Sequence, residues 1–357
     1  MALWLDKHRP KTLDKLTLHP GMTERLRKIA SSPQFPHLLF YGPPGAGKRT
    51  RIIALLREMF GPSVERLKVE HREFKLGGTT KAVELTVVTS NHHIELNPSD
   101  AGTKDCGVVQ EVIKEIASSH AITASPTRSF KVVVLNEVDR LSNRAQAALR
   151  RTMEKYSAGC RLILSCSSAS KVIEPVRSRC LLLRFPAPSE ADVCGVLSRA
   201  ALAERVPLPD EFAQRVAEAS DRNVRRALLM LEASKVQAGT AGLQAEQQVA
   251  RADWQDFIAQ IAKDILEEQT PRRLQQLRAK FYELLTNCIP AETIIKELAK
   301  ELLSKTDATL KANVTHWAAH YEHRIRQGQK PIYHLEAFVA KFMSLYKTWM
   351  INMMAGF

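Results

Sequence analysis

Residues 42–50 read Gly42-Pro43-Pro44-Gly45-Ala46-Gly47-Lys48-Arg49-Thr50. The spacing G-x-x-x-x-G-K is that of a phosphate-binding loop, in which backbone N–H groups and the lysine grip the phosphates of a nucleotide. The standard pattern continues with Ser or Thr, whose hydroxyl holds Mg²⁺. Here that position is Arg49. A second departure follows the apolar run 130–135, which ends in Asn136-Glu137-Val138-Asp139. In phosphate-loop NTPases an acidic pair at the tip of such a strand supports Mg²⁺ and polarises the attacking water. Asn136 takes the first position and Glu137 keeps the second. Both positions that would serve a metal have lost that capacity, and one has become a cation. Arg49 is read as taking part of the electrostatic role of Mg²⁺ beside the β-phosphate, because a guanidinium contacts phosphate bidentately. Such a site binds nucleotide tightly, exchanges it slowly and hydrolyses it little or not at all. The plainer alternative has Arg49 facing solvent, with Thr50 or a water compensating and hydrolysis surviving.

These groups need a scaffold. Residues 36–41 are a short apolar run, and residues 48–60 carry Ile52, Ile53, Leu55, Leu56 and Met59 at helical spacing. Strand, glycine loop, helix is the context the motif requires, and the helix N-terminus adds partial positive charge at the phosphates. Alternation over 83–96 predicts extended structure, broken at 98–102, with a helix over 107–118. The runs 130–135 and 161–166 predict buried parallel strands. A helix capped by Ser142 is expected over 143–156. Strands alternating with helices imply an α/β domain with a parallel sheet. Pro186-Ala187-Pro188 forms a hinge. Residues 189–236 are helical in pattern, as in a small lid. Gly239-Thr240-Ala241-Gly242 is a second linker, and 253–351 predicts amphipathic helices broken near Pro271, Pro290, Asp307 and Pro331.

Composition narrows the class. The chain has 357 residues, 45% of them hydrophobic, with net charge +14 and pI near 9.6. That length supports two or three packed domains, and that charge favours an anionic partner, most often nucleic acid. Residues 231–357 hold 16 basic and 14 acidic side chains, leaving 36 and 24 for residues 1–230. The basic field therefore travels with the phosphate loop. The alternative is a solvated basic surface with no ligand. Six cysteines, at 106, 160, 166, 180, 194 and 288, form no C-x-x-C pair. A zinc ribbon and a redox pair are unsupported, and the expected compartment is intracellular and reducing. The first residues do not read as a signal peptide, and no apolar run approaches the ~20 residues of a membrane helix.

The chain resembles the small subunits of the eukaryotic replication factor C clamp loader, an AAA+ family. The resemblance covers essentially the whole chain. It rests on Trp4-Leu5-Asp6-Lys7-His8-Arg9-Pro10, the loop at 42–50, Asn136-Glu137-Val138-Asp139, Leu149-Arg150-Arg151-Thr152-Met153-Glu154, Ser178-Arg179-Cys180 and Val224-Arg225-Arg226-Ala227-Leu228. The two degenerate positions, with Tyr333-His334-Leu335-Glu336-Ala337-Phe338-Val339-Ala340-Lys341-Phe342, look like the end-of-spiral subunit. The implied fold is an AAA+ P-loop NTPase domain with a parallel sheet over 1–185, a small helical lid over 186–240 and an all-helical oligomerisation collar over 250–357.

The resemblance also implies roles. ATP or ADP, with Mg²⁺ weak or absent, would meet Arg9 and Pro10 at the adenine. Gly42, Pro43, Gly45, Ala46, Gly47, Lys48, Arg49 and Thr50 would meet the phosphates, with Asn136, Ser167 and Arg225 around them. Family members usually have Tyr where His8 stands, and often Asn near Ser167. Glu137 is the remaining catalytic carboxylate. Arg179 looks like an arginine finger that acts in trans on the γ-phosphate held by a neighbour. Its competing reading is a surface salt bridge. Lys104, Lys114 and Arg144 are candidate DNA contacts, to phosphates rather than bases; Gln110 stands where relatives often carry Arg. Arg144, Arg150 and Arg151 could relay DNA contact to the nucleotide site, or be ordinary helix-surface charges. The implied partners are the four sister subunits, the sliding clamp (proliferating cell nuclear antigen) and primer–template DNA, with no membrane, in nuclear DNA replication and repair. Trp317, Tyr321, Tyr333, Phe338, Phe342 and Trp349 are expected in core or interface. Two competing functions are an autonomous ATPase subunit and a branch-migration motor. The motor would need a winged domain after the lid, against which the helical pattern of 253–351 argues.

Overall fold

The structure, a computed structural model, describes residues 2–32, 34–75, 82–118, 130–157, 159–239 and 242–355. Two compact units divide the chain, Met1–Ala250 and Arg251–Phe357. The first opens with α1 (Trp4–Lys7), α2 (Pro20–Ser31), β1 (Leu38–Tyr41) and α3 (Lys48–Phe60). It continues with β2 (Lys68–Lys75), β3 (Ala82–Thr89), β4 (His93–Leu96), α4 (Asp105–Ser118), β5 (Lys131–Leu135), α5 (Asn143–Lys155), β6 (Cys160–Cys166), α6 (Glu174–Arg177) and β7 (Leu181–Arg184). Three lid helices follow, α7 (Glu190–Ala203), α8 (Asp210–Ala219) and α9 (Val224–Ala238). The second unit holds α10 (Asp253–Glu267), α11 (Pro271–Thr286), α12 (Ala291–Lys305), α13 (Ala308–Gln327) and α14 (Pro331–Ala355).

The strand order is β2-β3-β4-β5-β6-β1-β7. The five strands from β4 to β7 are mutually parallel, and β2 and β3 add an antiparallel edge. The expected parallel sheet is therefore present with an extension. The stretch read as one extended segment over 83–96 is two strands, β3 and β4. Ser90 closes the turn between them by donating its N–H to His93 O at 2.8 Å. The central strands are buried on both faces, as apolar runs demand. Leu39, Val133 and Leu164 pack on one side; Leu38, Phe40, Val132, Val134 and Ile163 pack on the other. Ser142 caps α5 as expected, its Oγ accepting from Ala145 N at 3.1 Å. The anticipated linker at 239–242 lies partly outside the described residues. The lid has its own core around Leu197, Phe212, Val216 and Leu231, which Trp4 joins.

In the second unit, Pro271 and Pro331 are first residues of helices, while Pro290 and Asp307 sit just before α12 and α13. The breakers mark starts because a proline's missing N–H costs nothing in the first turn. Phe338 and Phe342 lie in the core of this unit, whereas Tyr333 is exposed. Trp317 is half-buried beneath the Lys341 ammonium, 4.7 Å from its ring centroid.

Two histidines are packed into the sheet in neutral form. His37 Nδ1 accepts from Leu162 N at 3.0 Å, which a protonated ring could not do. His93 is 2% exposed, and burial pushes its pKa down to about 4. Between that value and the ordinary 6.5 the unfolded chain binds more protons, so stability rises with pH. The contribution is whole above about pH 6.5 and is lost as pH falls toward 4. At pH 5 His93 alone should cost about 1–2 kcal/mol relative to pH 7.5. Thermal melts across that range should show His93→Met with a flatter pH slope than the native protein, and equal slopes would refute this assignment.

Candidate functional site at the phosphate loop

The loop after β1 is shaped by close approach. Gly45 has φ +77°, and a Cβ there would lie 1.8 Å from Asn223 Oδ1. A Cβ on Gly42 would lie 1.9 Å from the carbonyl oxygen of Phe185. The loop is thus wedged between the end of β7 and the first turn of α9. Asn223 caps α9 with the same Oδ1, accepting from Arg226 N at 3.2 Å. Arg51 secures the loop from beneath. It is 1% exposed and donates to Ala46 O at 3.0 Å and Leu18 O at 2.7 Å. Its guanidinium lies over the Phe185 ring at 5.1 Å, and burial lowers its pKa to about 10.

Lys48 is the first residue of α3 and folds back over the loop. Its Nζ donates to Gly42 O at 2.5 Å and Pro43 O at 2.9 Å. Burial lowers its pKa, the nearby Cys166 and Asp139 oppose that, and Arg225 adds to it. Lys48 and Arg225 are near enough to repel each other, and the positive potential they add favours an anion at the loop. Arg225 is exposed and makes no hydrogen bond or ion pair among the described residues.

A cavity of about 410 Å³ lies beside the loop, within the range of small-molecule sites. Leu5, His8, Arg9 and Pro10 form one wall, and Gly45, Gly47, Thr50 and Arg51 the floor. Val196, Arg199, Ala200, Arg225 and Leu228 of the lid face them. The N-terminal segment is latched to the lid. Trp4 N donates to Glu232 at 3.1 Å, and His8 Nε2 and Lys7 Nζ meet Glu204 at 2.5 and 2.6 Å. Position 8 thus carries an imidazole bound to a lid carboxylate. Arg9, Pro10, Gly45, Gly47, Thr50 and Arg225 come together here. Gly42, Pro43, Ala46, Lys48 and Arg49 belong to the same loop and helix but do not line the cavity.

The strand tips form the other end of the site. Glu95, on β4, is 6% exposed. Arg49 grips it with two nitrogens, Nε to Oε1 at 2.7 Å and Nη2 to Oε2 at 3.0 Å. Asn136 Nδ2 donates to the same Oε1 at 2.7 Å. The two degenerate positions therefore converge on one buried carboxylate. Arg49 does not simply face solvent. Glu137 has φ +53° and pairs with Arg140 at 2.9 Å. Asp139 accepts from Ser167 N at 3.2 Å. No group of three or more His, Cys, Asp or Glu among the described residues could hold a metal ion.

Arg179 follows α6, away from the cavity lining. Glu154 of α5 accepts from its Nη2 at 2.5 Å and its Nε at 2.9 Å, and Pro175 O accepts from Nη1 at 2.8 Å. Lys104 precedes α4, Lys114 lies on it, and Arg144 is in the first turn of α5. The two helices are tied by Asp105, which accepts from Ser142 N at 2.7 Å and Ser142 Oγ at 3.0 Å.

The family model for the C-terminal domain of replication factor C subunit 3 matches residues 254–350. That for an RCF1/5-like AAA+ ATPase lid matches 195–236, and that for the DNA polymerase III delta subunit matches 18–189. Replication factor C subunit 3 of Arabidopsis thaliana is 52% identical over 352 residues, 98% of this chain and 99% of that one. The human protein of the same name is 50% identical over 356 residues, 100% and 99% of the two chains. This chain belongs to the replication factor C family of clamp-loader subunits. Replication factor C subunit 5 of Oryza sativa is 53% identical over 352 residues, again 98% and 99% of the two chains. Among solved structures, the Thermotoga maritima RuvB branch migration motor matches with a TM-score of 0.50. It is 15% identical, and the match covers 85% of this chain and 91% of that one. That likeness shows an AAA+ fold and no more. The described part of the second unit is all helical, unlike the winged domain a branch-migration motor would need.

Sequence reasoning missed Glu95, Arg51 and Asn223. Glu95 is an acidic residue next to the tip of a strand predicted to be half-buried. Arg51 falls four residues before Leu55, on the apolar face of α3. Asn223 directly precedes an apolar helical run, where a cap belongs. The wedge against Asn223 gives a direct test. Gly45→Ala should weaken ADP binding by about tenfold or more and cost about 1–3 kcal/mol of stability, since both the positive φ and the contact are violated. Calorimetric titration and thermal melts would measure both, and unchanged affinity would remove Gly45 from the site.

Proposed function

We propose that this chain is the hydrolysis-deficient subunit of the pentameric clamp loader. It binds ATP or ADP in its own site and completes the site of a neighbour. The observation that carries this reading is the Arg49–Glu95–Asn136 cluster. In an active site of this fold, the residues at 49 and 136 would hold Mg²⁺. Here one is a guanidinium, the other donates an amide proton, and the carboxylate between them has both oxygens occupied. That donor set does not fit a hard divalent cation, which takes oxygen ligands. Nucleotide would instead be held by backbone N–H groups of the loop, Lys48, Arg225 and the α3 N-terminus. Arg9 and Pro10 would lie at the base. Leu5, Val196 and Leu228 supply an apolar wall.

Arg179 is assigned as the finger lent in trans. In support, it stands in Ser178-Arg179-Cys180, is partly exposed, and is steadied by a single carboxylate and a backbone carbonyl. Residues 1–185 are assigned to nucleotide binding, 186–240 to the lid and 250–357 to a collar that joins the sister subunits. Lys104, Lys114 and Arg144 are assigned to primer–template phosphates. The sliding clamp is assigned as a partner and the nucleus as the location, with support from the likeness to eukaryotic replication factor C subunits. A second reading, an active site of its own, is favoured only by the retained Glu137 and by Thr50, which lines the cavity.

The isolated full chain should yield bound nucleotide on denaturation and no steady-state ATP hydrolysis above background. Reconstituted with its sister subunits, Arg179→Ala should slow hydrolysis at the neighbouring site by about 10³-fold and cut DNA-stimulated turnover and clamp loading. Robust Mg²⁺-dependent phosphate release by the lone chain would establish the second reading instead. Unchanged turnover with Arg179→Ala would dismiss the trans role.

A further inference from the structure

Glu95 has no part in the motifs read from the sequence, yet it is the group on which both departures from those motifs converge. Its side chain is 7% exposed, against 48% for Arg49. A carboxylate this buried needs a partner, because an uncompensated charge is expensive out of water. Arg49 supplies one through the Nε edge of its guanidinium, and Asn136 adds a hydrogen bond to Oε1. The positive charge of Arg49 is therefore largely neutralised inside the protein before any phosphate arrives. This refines the expectation that Arg49 stands in for the metal's charge beside the β-phosphate. What stands there is a nearly neutral pair with the other edge of the guanidinium left over.

We propose that Glu95 determines which cation this site uses. Paired with Arg49, it makes nucleotide binding independent of divalent metal. Relieved of Arg49, the same carboxylate, with the amide oxygen of Asn136 and a hydroxyl at 49, becomes an oxygen donor set for Mg²⁺. The strand-tip position is then a choice between guanidinium and metal, and Glu95 is the constant partner of both. This rests on the nucleotide-binding reading for its first half only; the second concerns the cluster alone.

The test uses the full chain and two readouts. ADP affinity is titrated in excess Mg²⁺ and in EDTA, and thermal melts are run without nucleotide in the presence or absence of Mg²⁺. The native protein should bind ADP equally, within about threefold, in both buffers, and its melting temperature should ignore Mg²⁺. Arg49→Thr should gain a Mg²⁺-dependent rise in melting temperature and about tenfold tighter ADP binding with Mg²⁺. The double variant Arg49→Thr with Glu95→Gln removes the buried charge together with its partner, and should lose both responses. A native protein that needs Mg²⁺, an Arg49→Thr variant indifferent to it, or a double variant that still responds would each overturn the proposal. If Arg49→Thr is recovered folded only when Mg²⁺ is present, the proposal stands. If it is recovered in neither buffer, Glu95→Gln alone decides. The unpaired guanidinium should tighten ADP binding in EDTA several-fold, and unchanged or weaker binding overturns the idea. Absence of ADP binding by the native protein in any buffer would instead refute the nucleotide reading, while the melts would still judge Glu95.

Discussion

The glycine loop is confined by contact on two sides, and the site depends on that confinement. Phe185 offers a backbone carbonyl against Gly42 and Asn223 offers a side-chain oxygen against Gly45, each too close for a Cβ. One contact fixes the loop to the end of the sheet and the other fixes it to the lid. A phosphate-binding loop works by aiming backbone N–H groups at one point, so any slack in these contacts would disperse the donors. Phe185 also stacks on Phe40 of β1 at 5.0 Å. The loop is therefore anchored at its entry and at the strand beside it by the same aromatic pair.

Two arginines in the first turn of α3 show how environment decides what a charge can do. Arg51 points into the protein and is satisfied mainly by carbonyls, from Ala46 and Leu18. Carbonyl dipoles hold its charge without cancelling it, and the price is the fall in pKa that burial causes. Arg49 points to the strand tips and meets a full negative charge. The first braces the loop. The second closes the gap between the loop helix and β4. A helix N-terminus is a poor place for cations, and two arginines so near it persist because each has a strong local partner.

Much of this was legible from the residues. Strand, glycine loop and helix were fixed by apolar spacing and by a motif whose chemistry has one use. The breakers in the second unit marked helix starts, because Pro and Asp have local reasons to stand there. The strand-tip box placed Asn136 and Glu137 correctly at the end of β5. What could not be read was anything set by pairing across strands. Glu95 meets Asn136 because β4 runs parallel to β5, with Leu96 beside Leu135. The β2 strand escaped because His71, Arg72 and Glu73 blur its alternation, as befits a strand at the edge of the sheet. Arg51 escaped because a charged residue on an apolar helix face is informative only once its carbonyl partners are known.

The candidate contacts to DNA and to a neighbour's nucleotide are bridged by one helix, α5. At the head of α5, Ser142 is held by Asp105, the residue that follows Lys104 and starts α4. Near its other end, Glu154 holds Arg179. An α-helix of 13 residues is about 20 Å long and stiff along its axis. Its inner face is fixed by Ala145, Leu149 and Met153 in the core of the sheet. On the proposed assignments, a phosphate backbone at Lys104 and a finger at Arg179 are joined by hydrogen bonds at both ends of a rigid rod. Neither junction passes through this chain's own loop. On the same assignments, the subunit would keep a contiguous physical route between DNA and its neighbour's active site whatever its own site does with metal. A site without hydrolysis and a finger lent to another would then be compatible because separate elements carry them.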